Sequence, residues 1–225
     1  MLHRLRKHCT VASSALPLIS LILACGLACL VGCQPTAWLA GAVIGEERTV
    51  DVKAEYRGLD QKKIAVLVAA PNQVLFEYPR APLNVCRAAS GRIAADIPGA
   101  KLSDPQQIIA FQRKNPQWLG VPTGQLIERL NVERLVMIDL AEYSTHEPGN
   151  AHLFRGIVVG QVTVTEARRE NSNNAAYSQV VSAHFPEDRP LGLLEEDADT
   201  IELGMIELFA RRVSGLFHDH KVVRR

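Results

Sequence analysis

Apolar and polar residues alternate along this chain in blocks whose periods change, and the periods predict the elements. Lys62 to Ala70 is a short unbroken apolar run rich in Val and Ile, closed by Pro71, the pattern of a strand buried on both faces. From Leu83 to Ile97, apolar residues recur at Val85, Ala89, Ile93 and Ile97, predicting a helix that Pro98-Gly99 stops. The residues between, with Tyr78, Pro79 and Pro82, read as a loop. Ser103-Asp104-Pro105-Gln106 has capping-box spacing, with Ser103 as the cap of a helix through Ile108, Ile109 and Phe111 that ends near Asn115-Pro116. A further helical piece after Thr123 places Leu126, Ile127 and Leu130 on one face, and Arg134 to Leu140 is a second buried strand. Strand, helices and strand at this spacing form a crossover unit with its two long strands parallel.

Beyond Leu140 the period changes to two. Phe154 to Ala167 and Ala175 to Phe185 predict paired strands around a polar turn from Arg168 to Asn174. Val158, Gln161, Thr163 and Thr165 mix polar with apolar positions, so one face of that pair meets water. Asp199-Thr200-Ile201-Glu202 then opens a helix whose stripe runs through Ile201, Met205, Leu208, Phe209, Val213, Leu216 and Phe217. The order predicts a single α/β sandwich domain: a mixed β-sheet, crossover helices and a long C-terminal amphipathic helix.

Ahead of this domain the pattern is of another kind. Arg4, Arg6 and Lys7 precede an uncharged, mostly apolar run from Val11 to Val31, the order of a bacterial export signal. The same run is long enough to cross the ~30 Å of a bilayer interior, which leaves an uncleaved anchor as the competing reading. Leu30-Val31-Gly32-Cys33 resembles the lipobox of bacterial lipoproteins. The resemblance implies cleavage before Cys33, a thioether lipid on its thiol, and acylation, with palmitate for example, of the new amino terminus. A thiolate is the nucleophile suited to that step. The expected organisation is a signal peptide over 1–32, a lipid-anchored tether over 33–61 and a globular domain over 62–225. Within the tether, Trp38, Leu39, Val43 and Ile44 suit either the membrane interface or the domain surface.

Composition narrows the function classes. Three of the 25 Lys and Arg and none of the 24 acids precede Cys33, so the net charge of +1 becomes −2 after cleavage. No basic field favours nucleic acid, and the four Tyr are too scattered for a base-stacking platform. Four of the five Cys end at Cys33, leaving Cys86 without an internal disulfide partner.

No nucleophile elbow, phosphate-cradling glycine loop or zinc His-Glu-x-x-His motif is present. Asp139 and Glu142 fall near the end of a parallel strand, where α/β folds place ligands, with His146 close by. His146 and His152 flank the turn-forming Glu147-Pro148-Gly149-Asn150 and could share a metal or simply decorate a turn. His218, Asp219 and His220 could bind a metal only if that tail is extended. Glu195, Glu196, Asp197 and Asp199 could pose as catalytic carboxylates, but acids ahead of a helix are explained by its dipole. No residue is therefore assigned a catalytic, cofactor-binding or metal-binding role; the assigned site is lipidation at Cys33.

The element order, with the Lys63 to Val68 strand, the Val132 to Ile138 strand, the Gly156 to Thr165 strand with its partner and the final helix, resembles the α/β lipoproteins of the cell envelope. These are the curli-secretion-channel type, the outer-membrane activators of penicillin-binding proteins and the amino-terminal domain of the Tol-system propeller protein. The resemblance implies a non-enzymatic binding, scaffold or assembly factor with an envelope protein partner or homo-oligomer, and a contact surface on the β-hairpin edge or the final helix. Gln34 after the Cys, in place of Asp, implies the periplasmic face of the outer membrane. The chain lacks a pair of added membrane hairpins, which sets it apart from the pore-forming type. The competing readings are a lipoprotein hydrolase acting on envelope material through Asp139, Glu142 or His146, and a pore subunit.

Overall fold

A computed structural model describes residues 49–167, 174–188, 192–194 and 197–223. The leader, Cys33, Trp38, the Arg168 to Asn173 part of the expected turn, and Glu195-Glu196 lie outside the described residues. The chain divides into two units, Met1–Val50 with Val223–Arg225, and Asp51–Val222. Of the first, only Thr49, Val50 and Val223 are described.

The second unit is built on strand β2 (Lys63–Ala69), buried from Ile64 to Ala69. Its neighbours are the two-residue β3 (Lys101–Leu102) on one side and β4 (Arg134–Glu147) on the other, both parallel to it. From β4 the sheet continues antiparallel through β5 (Asn150–Glu166) to β6 (Ala175–Phe185), in the order β3-β2-β4-β5-β6. The mixed sheet, the parallel β2–β4 pair and the hairpin are those expected from the sequence. Strands β1 (Thr49–Val52) and β7 (His220–Val223) form a separate two-stranded sheet.

Helix α1 (Asn72–Glu77) directly follows Pro71, where the sequence reads as loop. Six residues are too few for a helical period to show, and Val74 is its one buried side chain. Helix α2 (Ala81–Asp96) buries Val85, Ala89 and Ile93 at the expected spacing. Helix α3 (Pro105–Lys114) is capped by Asp104, whose carboxylate accepts from the Gln106 amide at 3.0 Å, and not by Ser103. Pro105 at the first helical position fixes the cap one residue before it. Helix α4 (Thr123–Leu130) buries Leu126 and Ile127. Helix α5 (Ala198–Gly215) has its cap at Asp197, two residues before the expected Asp199. Asp197 accepts from the Thr200 amide at 2.7 Å, while Asp199 lies in the first turn, where a carboxylate meets the positive end of the helix dipole.

Glycines set the contact between α5 and the sheet. A Cβ on Gly156 would lie 2.6 Å from Met205 Cβ, and one on Gly160 would lie 3.3 Å from the Phe209 ring. Even-numbered residues of β5 therefore face α5. The strand register adds Val66, Val68, Val136, Ile138 and Val181 to that apolar face. On the opposite face, Leu67, Leu135 and Thr165 near β2 are buried, whereas Asp139, Gln161 and Val180 are exposed. The expected one-sided solvation of the hairpin is thus present.

The hairpin is longer than its apolar residues suggest. β4 continues to Glu147 by alternating buried Tyr143 and Thr145 with more exposed neighbours, past an irregularity between Leu140 and Glu142. Gly149, at φ +79°, closes the turn in the left-handed region that glycine adopts freely. At the other end, Leu59 is fully buried, and Tyr56 lies against Phe217 and Tyr177 with ring centroids 6.2 and 5.7 Å away.

Candidate functional site

The residues singled out from the sequence have ordinary structural partners. Asp139 sits in the middle of the long β4, opposite Gln161, on the exposed face of the sheet; Glu142 is exposed beside the strand irregularity. His146 Nδ1 lies 3.0 Å from Thr145 Oγ1, and its ring stacks obliquely on Phe154 at 4.8 Å. His152 is exposed, its backbone amide donating to Asn150 Oδ1.

In the tail, Asp219 is occupied by cations. It accepts from the Ala54 amide at 2.9 Å, from Lys53 Nζ at 3.2 Å and from Arg57. These partners hold its carboxyl well below the usual carboxylate range. His218 and His220 each direct Nδ1 to a backbone carbonyl, of Ser214 and His218, at 3.0 and 3.1 Å. Among the described residues, no group of three His, Cys, Asp or Glu side chains could hold a metal ion.

A different site emerges at the carboxyl end of β2. The chain leaves β2 through α1 and α2 to reach β3, then leaves β3 through α3 and α4 to reach β4 on the other side of β2. Such a reversal of winding opens a crevice beyond the strand ends, where open α/β sheets place ligands. Here the crevice is a cleft of about 380 Å³. Val68, Ala69 and Ala70 form its floor, Leu75, Pro79 and Leu83 one wall, and Ile109, Pro116, Trp118 and Leu119 the other. Trp118 is almost fully buried, whereas Leu119 is 63% exposed, and Phe76, one residue beyond Leu75, is 92% exposed.

Three polar side chains give the cleft direction. Gln112 Nε2 donates to the Val68 carbonyl at 2.9 Å, which fixes the amide orientation and leaves Oε1 buried without a hydrogen-bond partner. Arg80 and Arg113 line the cleft from different elements and are both exposed. The remaining polar lining residue is Asn72. The lining contains no carboxylate, imidazole, hydroxyl, thiol or amine side chain.

A second groove, of about 630 Å³, runs between α2 and α5 and is lined by charges of both signs: Arg80, Arg87, Asp199, Glu202 and Glu207. Glu202 in its lining is already engaged, accepting from the buried Tyr143 hydroxyl at 2.6 Å and from Asn84 at 3.4 Å.

No known protein family matches this sequence, and no curated protein resembles it. Among solved structures, the chain is similar to the PelC dodecamer from Paraburkholderia phytofirmans, at 8% identity and a TM-score of 0.44 over 74% of this chain and 96% of that one. It is also similar to lipoprotein GNA1162 from Neisseria meningitidis, at 13% identity and 0.36 over 63% and 90%. A hypothetical protein of Chlamydia trachomatis aligns at 18% identity and 0.40 over 68% and 96%. Likeness at this level assigns neither family nor activity.

The sequence offers Asp139 and Glu142, near the end of β4, as strand-end candidates without assigning them a role. The cleft lies instead at the end of β2, the strand at which the winding reverses. Its one linear signal is the run Pro116-Gln117-Trp118-Leu119, an apolar pair set between turn-forming residues.

Proposed function

We propose that this chain is a lipid-anchored binding or assembly factor of the bacterial cell envelope, held on the membrane surface through Cys33. The cleft carries the binding half of this reading. It offers apolar wall, two guanidinium groups and an amide, but none of the side chains that transfer protons at neutral pH or attack a substrate. Such a lining holds a ligand without transforming it. Asp139, Glu142 and His146, which a hydrolase would need, lie outside the cleft lining.

The lipobox-like Leu30-Val31-Gly32-Cys33 supports the address, with residues 1–32 removed and the chain after Cys33 leading from the bilayer to the domain. Two or more acyl chains anchor firmly, since each buried methylene adds ~0.8 kcal/mol. Gln34 supports the outer membrane as the destination. Palmitate labelling in living cells tests the anchor: the parent chain takes up label and Cys33→Ala does not. Crosslinking of the tagged protein in cells, read by mass spectrometry, tests the binding role. A stoichiometric envelope protein, or a second copy, is the expected product; crosslinks to neither would overturn it.

A further inference from the structure

We propose that the cleft at the carboxyl end of β2 captures the last two or three residues of an apolar peptide chain by its free carboxylate. The proposal rests on the reading of this cleft as a binding site and specifies what fills it.

Three features of the cleft converge on that ligand. Gln112 cannot turn its amide, because Nε2 is committed to the Val68 carbonyl at 2.9 Å, so the buried Oε1 calls for a donor from outside the fold. Such an orphan acceptor carries an uncompensated desolvation cost until it is satisfied. Arg80 and Arg113 have no acidic partner among the described residues, although ion pairs are common elsewhere on this surface. Two guanidinium forks on one cleft match a carboxylate, which each can bind bidentately. The same cleft is lined by Leu75, Leu83, Ile109 and Trp118, which suit apolar side chains.

The terminal residue of a peptide carries all three complements on one Cα: an N–H, a carboxylate and a side chain. A fatty acid has the carboxylate and the apolar body but no N–H for Gln112. A free phosphate has the charge without the apolar body. The volume, about 380 Å³, lies at the small end of ligand sites, which run roughly 300–1,000 Å³. It suits a short chain end and excludes a folded domain.

The test is calorimetric titration of the detergent-solubilised mature protein with acetyl-trileucine, its carboxamide and octanoate, each corrected for partition into empty micelles. The free acid is expected to bind at one saturable site, and the carboxamide and octanoate at least tenfold more weakly. Arg113→Ala and Arg80→Ala, both exposed and outside the core, are each expected to weaken the free acid several-fold with an unchanged circular dichroism spectrum. Carboxamide binding equal to the free acid, octanoate binding as tight as the peptide, or no saturable heat with acetyl-trileucine would each overturn the proposal. Palmitate labelling and crosslinking are independent of this titration. If they succeed while it fails, the peptide occupant falls and the anchored binding role stands.

Discussion

The Tyr143 hydroxyl donates to Glu202 Oε1 at 2.6 Å and so ties the extended part of β4 to helix α5. Tyr143 is 4% exposed, and its ring meets that of Tyr78 at 5.1 Å. A buried phenol whose partner is a carboxylate makes a stronger bond than a neutral pair. Tyr143→Phe is therefore expected to lower stability by about 1–2 kcal/mol in urea denaturation, because Glu202 keeps Asn84 and partial access to water. Glu202→Gln retains an acceptor and is expected to cost less than Tyr143→Phe. Equal midpoints for parent and Tyr143→Phe would show that the bond contributes nothing.

The same bond belongs to a group of three that gives the fold an alkaline limit. Tyr56 donates to Glu166 at 2.7 Å and Tyr177 to Glu55 at 2.6 Å. Burial first, then the hydrogen bond to a carboxylate, raises all three hydroxyls, that of Tyr56 to about 12. Above pH ~10 the unfolded chain gives up these protons while the folded chain keeps them, so stability falls as pH rises. The contribution is complete below pH ~10 and is lost upward through the folded values. Urea midpoints between pH 8 and 12 should be level at first and then decline, and Tyr143→Phe should flatten the decline. A profile unchanged by that substitution would remove Tyr143 from the account.

Much of this architecture was legible because burial and periodicity coincide. In β2 both faces are covered, so the apolar run is unbroken, and in α2 the spacing of Val85, Ala89 and Ile93 marks the covered stripe. Legibility ended where polar residues keep the strand period. Tyr143 and Thr145 face inward between Glu142, Ser144 and His146, and the eye sees only a polar stretch. The cleft was invisible for another reason. Its walls come from two separate segments, Leu75 to Leu83 and Ile109 to Leu119, and only the winding reversal at β2 brings them together. Gln112 in particular carries no mark in the sequence, because its isolation depends on the Val68 carbonyl.

Asp219 fastens residues 53–57 to the end of the chain. Its carboxylate accepts from the Ala54 amide and from Lys53 and Arg57, while the Leu216 carbonyl accepts from the Glu55 and Tyr56 amides at 2.8 and 3.1 Å. The backbone donor is the largest cause of its lowered carboxyl, followed by the two cations. A depressed carboxyl stabilises above the unfolded pKa near 4 and loses that effect as pH falls through the folded value. Asp219→Ala is expected to speed amide exchange at Ala54 at neutral pH, with the β2 amides unaffected. Unchanged exchange at Ala54 would show that the Leu216 carbonyl suffices.

Gly156 is where α5 comes closest to the sheet. A methyl there would lie 2.6 Å from Met205 Cβ, an atom fixed to the helix backbone and unable to swing aside. Gly156→Ala must push α5 off β5 and is expected to cost about 1–3 kcal/mol. Gly91→Ala, on the exposed side of α2 with nothing within 4 Å, is the control and should stabilise by a few tenths to about 1 kcal/mol. Denaturation midpoints that move in the same direction for both would contradict the packing argument.

Thiol counting joins the buried core to the proposed anchor. Cys86 is fully buried in α2, its Sγ donating to the Val66 carbonyl at 3.2 Å, and burial pushes the thiol up to about 11. At pH 8 it is protonated and shielded, so it reacts with Ellman's reagent only when the chain unfolds. A chain cleaved before Cys33, as proposed, carries Cys33 and Cys86 alone. With Cys33 held as a thioether, the membrane-extracted protein should show no reactive thiol when native and one in guanidinium. A free Cys33 changes the counts to one and two. The Cys86→Ala protein separates the two causes of a native signal: if the signal persists, Cys33 is unmodified, and if it vanishes, the core around Cys86 opens faster than its burial allows.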